Sequence, residues 1–185
     1  MLPKATDFVH ELVAPRLHPG DSALDATAGN GHDTLFLARQ VGPEGQVHAF
    51  DIQATAIEST RRRLQAHEAS SQVHLHQSDH QHLARHLPPE ARFQVILFNL
   101  GYLPGGPKTL TTRPSTPLRA LEQAGERLEK KGLLLVTCYP GHPGGQEESQ
   151  AVEAHLSEQP SLRVAKYSFL NLPNDPPFVL LAESR

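Results

Sequence analysis

The sequence predicts an α/β fold, a doubly wound sheet with helices on both faces, and three observations lead to that class. Apolar runs of strand length alternate with segments whose apolar residues recur at helical spacing along most of the chain. A glycine-rich turn, Gly29–Gly31, joins the first of these strands to the next helix. The chain closes with two strand-like segments, 162–170 and 177–183, that have no helical pattern between them. Alternation is typical of a parallel sheet, and the closing pair predicts one antiparallel strand.

Length and composition predict a single domain over residues 1–185. Hydrophobic residues make up 38% and charged residues 20% of the chain, which fits a globular protein with a substantial core. No apolar run approaches the ~20 residues of a membrane span, and the N-terminal residues lack the apolar core of a signal peptide. We therefore expect a cytoplasmic protein with no membrane partner. The net charge of −3 gives no electrostatic support for nucleic-acid binding, and the single cysteine, Cys138, excludes an internal disulfide.

The first quarter of the chain predicts a helix, a strand and a second helix. Residues 5–14 have an amphipathic pattern that stops near Pro15. The apolar run at 22–27 has the length of a strand. Helical spacing resumes after the glycine turn and lasts to about Val41, where Gly42–Gly45 is a strong stop signal.

The next part of the chain repeats the alternation. Residues 46–51 form a strand that ends on an acid, and 53–67 form a helix with Arg61–Arg63 on its exposed side. Residues 72–77 alternate polar and apolar side chains, as a half-buried strand does. A weak helix is predicted over 81–86.

The strand at 93–98 is a nearly continuous apolar run, which is typical of a central parallel strand. A long glycine-rich loop follows it. The helix at 115–129 begins with Ser115 as its expected N-cap. A fifth strand at 132–139, a second Gly/Pro loop and a helix at 146–158 complete the alternation.

Polar side chains stand at the carboxyl ends of five predicted strands. They are Asp25, Asp51, the pair Ser78 and Asp79, Asn99, and Tyr139. Ligands of doubly wound sheets bind beyond these strand ends. We therefore predict one site at this edge of the sheet.

The stretch D-A-T-A-G-N-G-H-D, residues 25–33, predicts a ligand-binding turn. Gly29 and Gly31 have no Cβ, so a ligand can lie against the backbone, and the following helix directs unpaired N–H groups toward it. Thr34 holds the position of a third glycine, so the dinucleotide-binding pattern is incomplete.

Three polar residues of this stretch are candidate ligand contacts: Asp25, Asn30 and Asp33. The first either holds the glycine loop or meets an ammonium group of the ligand. The other two face the turn, and either of them is alternatively a cap of the helix.

The ends of the second and third strands carry further candidates for binding a nucleoside. Asp51 lies about 20 residues after the glycine turn, where an acid can accept hydrogen bonds from a ribose diol. We place Gln53 in the same set. Ser78, Asp79 and His80 would lie near the base, where Asp79 could accept from an adenine amino group. The alternative for Ser78 and Asp79 is a helix N-cap.

This layout resembles the class I S-adenosylmethionine-dependent methyltransferases. The resemblance implies a Rossmann-like seven-stranded sheet in the order 3-2-1-4-5-7-6 with the last strand antiparallel, and S-adenosylmethionine as the cofactor. This cofactor has no pyrophosphate, which explains why the third glycine is dispensable. The cofactor contacts would then be Asp25, Gly29, Asn30, Gly31, Asp33, Asp51, Gln53, Ser78, Asp79, His80 and Asn99.

The fourth strand is followed by Asn99-Leu-Gly-Tyr102, at the point where amino-group methyltransferases carry a similar motif, [D/N]-P-P-[Y/F]. The similarity implies that the amide oxygen of Asn99 accepts hydrogen bonds from the target amine and that the ring of Tyr102 packs on the substrate. These contacts direct the nitrogen lone pair toward the methyl group. Leu100 and Gly101 replace both prolines, and the alternative is a glycine-rich connecting loop.

Further stretches resemble one small bacterial family, once called "putative rRNA methylases" and understood as tRNA wobble-uridine methyltransferases. The family resemblance implies methyl transfer to the primary amine of 5-aminomethyl-(2-thio)uridine in the tRNA anticodon loop, giving the 5-methylaminomethyl base. It also implies a homodimer in some members. The stretches are F-N-L-G-Y-L-P-G-G-P-K at 98–108, T-T-R-P at 111–114, Y-P-G-H-P-G-G-Q-E-E at 139–148 and N-D-P-P-F at 174–178.

An alkylammonium has a pKa of roughly 10 and must lose a proton before its nitrogen attacks. His142 is our candidate for accepting that proton or for positioning the substrate, and the alternative is a solvated loop histidine. Tyr102 and Tyr139 are candidates for stacking on the base. Lys108 and Arg113 lie at and beyond the end of the glycine-rich loop predicted at 99–108, here called the reaction loop, and are candidates for phosphate contacts.

Histidines are concentrated near the third strand. His74 and His76 point to one face of it, and His80, His82 and His86 follow. Without cysteines or compact ligand spacing we interpret these as surface histidines and predict no metal site.

Two other functions stay open at this point. The first is a methyltransferase acting on an amine of rRNA or of a small molecule. The second is a nucleotide-binding module without catalysis, with NAD as its ligand. The incomplete glycine pattern and the Asn99 motif argue against the second.

Overall fold

The computed structural model describes residues 2–101 and 115–185. Its strands are β1 (Ser22–Asp25), β2 (Gln46–Asp51), β3 (Val73–Gln77), β4 (Phe93–Leu100), β5 (Leu128–Cys138), β6 (Leu162–Tyr167) and β7 (Phe178–Ser184). Its helices are α1 (Ala5–Val13), α2 (His32–Val41), α3 (Ala54–Ala66), α4 (Leu83–His86), α5 (Ser115–Gly125) and α6 (Gly145–Ser157). A short 3-10 turn, His80–His82, precedes α4.

The strands form one seven-stranded sheet in the order β3-β2-β1-β4-β5-β7-β6. Strands β1 to β5 pair in parallel, and β7 runs antiparallel to both of its neighbours. The predicted strand order and the single antiparallel strand are confirmed. None of the described helices combines the length and the apolar character needed to cross a bilayer.

Two apolar cores lie on opposite faces of the sheet. One joins buried side chains of α1, α2 and α3 to the sheet, and the other joins those of α4, α5 and α6. Strand β4 supplies both cores in turn, with Val95 and Leu97 in the first and Ile96 and Phe98 in the second. This alternation is the period of two that a strand imposes, and burial on both faces explains its continuous apolar run.

The predicted boundary between α5 and β5 is wrong by several residues. We expected the helix to continue to Glu129, but it ends at Gly125 and Leu128 is already in β5. Leu128 continues the apolar spacing of the helix, yet it pairs with Phe93 across the sheet. The pairing register then shifts between Phe93 and Val95, so β5 holds an irregular segment that the sequence pattern does not show.

Four histidines pack against one another over the β2–β3 edge of the sheet. The ring of His48 stacks on His74 at 4.8 Å between centroids, and His48 Nδ1 lies 3.0 Å from His76 Nε2. His76 also stacks on Phe50 at 4.3 Å and lies 5.8 Å from His86. His74 and His86 are exposed as predicted, but His76 is half-buried and belongs to this stack. Within residues 2–101 and 115–185, no group of three or more potential ligands is arranged to hold a metal ion.

The histidine stack predicts a loss of stability in acid. Burial, and then the charge of neighbouring histidines, lowers the pKa of His48 to about 4 and that of His76 to about 4. The unfolded chain takes up these protons near pH 6.5, but the folded chain does not until about pH 4. The contribution of this pair to the free energy of unfolding therefore falls as pH drops through this window. We expect the pair to contribute a loss of roughly 2 kcal/mol between pH 7.5 and 5, after allowance for solvent screening. The raised pKa of Asp25 acts in the opposite direction over the same range, so the contribution of the pair is the difference between proteins with and without it.

Urea unfolding at the two pH values measures the change in the free energy of unfolding of each protein. The double variant His48→Phe, His76→Phe should lose clearly less than the unsubstituted protein, because the other ionisable groups remain in both chains. The exposed His18→Phe is the matched control and should leave the loss unchanged. Equal losses in all three proteins would contradict the assignment to the buried pair.

Candidate functional site

The carboxyl ends of β1, β2 and β4 meet at one edge of the sheet. Asp25, the last residue of β1, pairs with Ala49 on one side and Leu97 on the other. Asp51 and Asn99 therefore each extend two residues beyond Asp25, one on either side of it. This register creates a recess above the end of β1, and the glycine turn lies in it.

The glycine turn is fixed against helix α3. Gly29 and Gly31 both have positive φ, at 53° and 76°, which disfavours any residue with a Cβ. A Cβ on Gly31 would also come within 2.8 Å of the Thr60 Cα. The Thr60 hydroxyl donates to the carbonyl oxygen of Gly29 at 3.1 Å. Helix α3 therefore lies where a Cβ of Gly31 would be. The fold requires a glycine at this position, whether or not a ligand lies against the turn.

Asp25 holds the turn from below. Its carboxylate is completely buried and accepts hydrogen bonds from the Thr34 hydroxyl (2.6 Å) and the Thr27 N–H (3.1 Å). Burial, and then the charge of Asp33, raises the pKa of Asp25 to about 7. Of its two predicted roles, the geometry matches the one that holds the loop, because no part of the side chain is exposed to meet an ammonium group. The hydroxyl at the position of the third glycine takes part in the same contact.

Asp51 joins the end of β2 to the glycine turn. One carboxylate oxygen accepts from the Gly29 N–H and the other from the Gln53 N–H, each at 2.9 Å. A carboxylate oxygen can accept two hydrogen bonds, so both oxygens retain capacity for a ribose diol. The neighbouring Ile52 is 56% exposed, an unusual position for a large apolar side chain in this protein. Ile52 has no counterpart in the sequence predictions, although an apolar residue directly after an acid at the end of a strand is a usable signal.

The predicted ligand contacts after β3 all make contacts within the chain. Asp79 accepts from the backbone N–H of Gln81 (2.9 Å) and from its side-chain amide (3.0 Å), so the capping alternative describes its contacts. The Ser78 N–H donates to the carbonyl oxygen of Asp51 and ties this segment to the end of β2. His80 is buried, so its interpretation as a surface histidine is wrong; its ring edge lies against Phe98, and burial lowers its pKa.

Asn30 and Asp33 do not cap α2. The N-cap is Gly31, which has no side-chain cap. Asn30 instead contacts α3, where its Oδ1 accepts from the Ser59 hydroxyl at 3.3 Å and its carbonyl oxygen accepts from Arg63 at 2.7 Å. The prediction that Arg63 lies on the exposed side of α3 is therefore wrong.

The neighbouring arginines do lie on the exposed side of α3, as predicted. Arg61 and Arg62 both pair with Glu58, which lies three and four residues before them, about one turn away on the same helix. Arg63 instead faces the glycine turn, where its guanidinium donates to the carbonyl oxygen of Asn30.

Asp33 and Asn99 bring the glycine turn and the end of β4 into contact. Asn99 Nδ2 donates to Asp33 Oδ2 at 2.7 Å, and the Asn99 N–H donates to the Thr27 hydroxyl at 2.7 Å. Because a carboxylate can only accept, the amide nitrogen must face Asp33 and the amide oxygen faces the other way. The other carboxylate oxygen of Asp33 accepts from His10 Nε2, also at 2.7 Å. The contact with His10 has no counterpart in the sequence predictions.

Tyr139 and His142 lie in the loop after β5. A Cβ on Gly101 would be 3.4 Å from the Tyr139 ring, so that ring lies beside the start of the reaction loop. Burial, and then the charge of Asp33, raises the pKa of Tyr139. His142 Nδ1 donates to the Pro143 carbonyl at 3.0 Å, and its Nε2 is enclosed near Gly145. With Nδ1 donating, Nε2 is the ring nitrogen of a neutral His142 that can take up a proton, and both predicted roles of this residue remain predictions.

The second Gly/Pro loop contacts the loop before β7. A Cβ on Gly141 would be 3.2 Å from the carbonyl oxygen of Asn174 and 3.4 Å from that of Asp175. The Y-P-G-H and N-D-P-P-F stretches are thus neighbours in space. The predicted substrate contacts Tyr102, Lys108 and Arg113 lie outside the described residues.

Comparison with known proteins gives a consistent result. The sequence model of a family described as "Putative rRNA methylase" matches residues 47–183. A "tRNA (mnm(5)s(2)U34)-methyltransferase, chloroplastic" from Arabidopsis thaliana is 39% identical over 188 residues, which cover 96% of this chain and 69% of that protein.

Solved structures agree with the fold described above. A "putative rRNA-methylase" from Clostridium thermocellum has a TM-score of 0.95 at 34% identity, with both chains covered completely. A "putative methyltransferase" from Streptococcus mutans, solved in complex with S-adenosylhomocysteine (SAH), has a TM-score of 0.89 at 33% identity, again over both complete chains.

Proposed function

The chain belongs to the family described as "Putative rRNA methylase", and from that premise we propose that it methylates a modified wobble uridine of tRNA. It is an S-adenosylmethionine-dependent methyltransferase. This sets aside the interpretation as a nucleotide-binding module without catalysis. The proposed reaction converts the primary amine of 5-aminomethyl-(2-thio)uridine to the 5-methylaminomethyl form. The name of the Arabidopsis relative supports this choice of base.

The residues around the glycine turn fit the cofactor. Asp51 retains acceptor capacity for the ribose diol, and the exposed Ile52 next to it offers an apolar surface for the adenine ring. Ser78 and His80 would border the same base. Gly29 and Gly31 leave the turn without side chains against the ligand. S-adenosylmethionine supplies the methyl group, bonded to a positively charged sulfur.

The single observation that carries the proposal is the hydrogen bond between Asn99 and Asp33. It fixes the amide of Asn99 beside the turn that would hold the cofactor, with the amide oxygen as the outward acceptor. An acceptor at this point suits an amine, because accepting its N–H hydrogens orients the nitrogen lone pair. In the reaction the lone pair of the neutral amine forms the new N–C bond as the C–S bond of the sulfonium breaks, which leaves its electron pair on sulfur as SAH, and the methylated nitrogen then releases one proton to solvent. Tyr139, beside Gly101, would stack on the base.

The anticodon loop is the proposed binding partner. Extruding the base costs stacking energy, which aromatic contacts from Tyr139 and Tyr102 would offset. Lys108 and Arg113, which follow Asn99 along the sequence, would contact phosphates of the anticodon loop. Assembly as a homodimer, a cytoplasmic location and a single domain remain predictions.

Nucleoside analysis of tRNA tests the proposed substrate. We expect tRNA from a strain lacking the gene to accumulate 5-aminomethyl-(2-thio)uridine and to lose the 5-methylaminomethyl base almost completely. Mass spectrometry of digested tRNA measures both nucleosides. Returning the gene should restore the methylated base, whereas the Asn99→Ala gene should not. Unchanged tRNA nucleosides together with a missing methyl group in digested rRNA would show that an rRNA amine is the substrate instead.

A further inference from the structure

We propose that His10 of α1 is a positioning residue that orients the Asn99 amide through Asp33. The inference rests on the proposed function, because it assigns a role only if Asn99 accepts from the target amine. His10, Asp33 and Asn99 come from three separate elements, α1, α2 and β4. His10 lies outside the residues that the family model matches.

The three side chains form a continuous chain of short hydrogen bonds. His10 Nε2 lies 2.7 Å from one carboxylate oxygen of Asp33, and Asn99 Nδ2 lies 2.7 Å from the other. Hydrogen bonds to a carboxylate are shorter and stronger than neutral ones. The two bonds approach Asp33 through different oxygens, so together they define the plane of its carboxylate and the direction in which it faces Asn99.

His10 is itself held in place. Its ring stacks on Phe36 with 3.9 Å between centroids and planes 8° apart. Helix α1 is anchored on either side of it by the buried Val9 and Val13, and by Phe8, which stacks on Tyr167 at 3.9 Å. A donor held this firmly can restrain Asp33, which is only 15% exposed.

Asn99, at the other end of this series of hydrogen bonds, is also restrained. The backbone N–H of Asn99 donates to the Thr27 hydroxyl at 2.7 Å, which fixes the backbone of this residue. What remains free is rotation of the amide, and Asp33 removes that freedom. Loss of the His10 donor would let the carboxylate turn, and the Asn99 oxygen would then leave its productive orientation part of the time.

The packing of α1 does not depend on the polar contact of His10. The imidazole is one-third exposed, and the buried residues of α1 are Ala5, Val9 and Val13. His10→Phe keeps the stack on Phe36 and removes only the donor. His10→Gln replaces the ring but supplies an amide donor of similar reach. The two variants thus separate the hydrogen bond from the packing.

Steady-state kinetics with tRNA carrying 5-aminomethyl-2-thiouridine tests the inference. For His10→Phe we expect kcat to fall about tenfold, with KM for tRNA and for S-adenosylmethionine changed by less than about twofold. The Kd for SAH, measured by calorimetry, should not change. His10→Gln should recover most of kcat. The exposed Glu11→Gln on the same helix is the matched control and should behave as the unsubstituted enzyme.

The outcomes separate this inference from the proposed function. If the unsubstituted enzyme does not methylate this tRNA, the proposed substrate is wrong and the inference fails with it. If it is active and His10→Phe has the same kcat, the positioning role is wrong and the proposed function stands. A kcat that falls together with the thermal midpoint, without recovery in His10→Gln, would show a packing role and also overturn the inference.

Discussion

Replacing Asn99 with alanine is expected to lower kcat by about a hundredfold or more while leaving the Kd for SAH within about threefold. The amide oxygen is the acceptor that would align the amine, and no other atom of the side chain can replace it. The backbone N–H of residue 99 still donates to Thr27, so the end of β4 should keep its position. Asp33 loses one partner but keeps His10.

Steady-state methylation rates and calorimetry with SAH measure kcat and the Kd separately. The exposed Asn171→Ala makes the same chemical change near the β6–β7 connection and should leave kcat unaltered. Full activity in Asn99→Ala would remove this residue from the mechanism. A large loss of SAH affinity with unchanged kcat would instead make it a cofactor ligand only.

The sheet and its functional edge could be predicted because both depend on local patterns. Apolar runs and glycine turns predict the alternation of strands and helices, and the family resemblance implies the strand order. Once the strands are parallel, a polar residue at the end of a strand must lie at the shared edge. Asp51 and Asn99 were found in this way, and the register sets them symmetrically about the end of β1.

The contacts between these residues could not be predicted, because they join distant parts of the chain. His10 and Asp33 are 23 residues apart in sequence, and Asp33 and Asn99 are 66 apart. No periodicity relates such positions. Arg63 is a similar case, since a run of three arginines suggested a solvated face while tertiary contact turns one of them to Asn30.

Residues with two physically reasonable roles were separated only by burial and partners. Asp25 could hold the loop or meet an ammonium group, and complete burial matches the first role. Asp79 could cap a turn or accept from adenine, and both of its oxygens contact Gln81. Side-chain type fixes the chemistry that is available, but the packing around it decides which partner is reached.

Replacing Asp51 with alanine is expected to weaken SAH binding by about a hundredfold or more. Two charge-assisted hydrogen bonds to the ribose diol would be lost, each worth about 1.5–3 kcal/mol. The N–H groups of Gly29 and Gln53 would also lose their acceptor, which loosens the glycine turn.

Calorimetry with SAH measures this loss, with NAD titrated in parallel to show that the site discriminates between the two ligands. Asp51→Asn keeps one acceptor oxygen and should bind with intermediate affinity, because its amide nitrogen faces either the Gly29 or the Gln53 N–H without being able to accept from it. The exposed Asp7→Ala is the matched control for removing one negative charge. Binding of SAH by Asp51→Ala within about threefold of the unsubstituted protein would exclude the ribose contact. The cofactor would then have to be held by the backbone groups of the glycine turn.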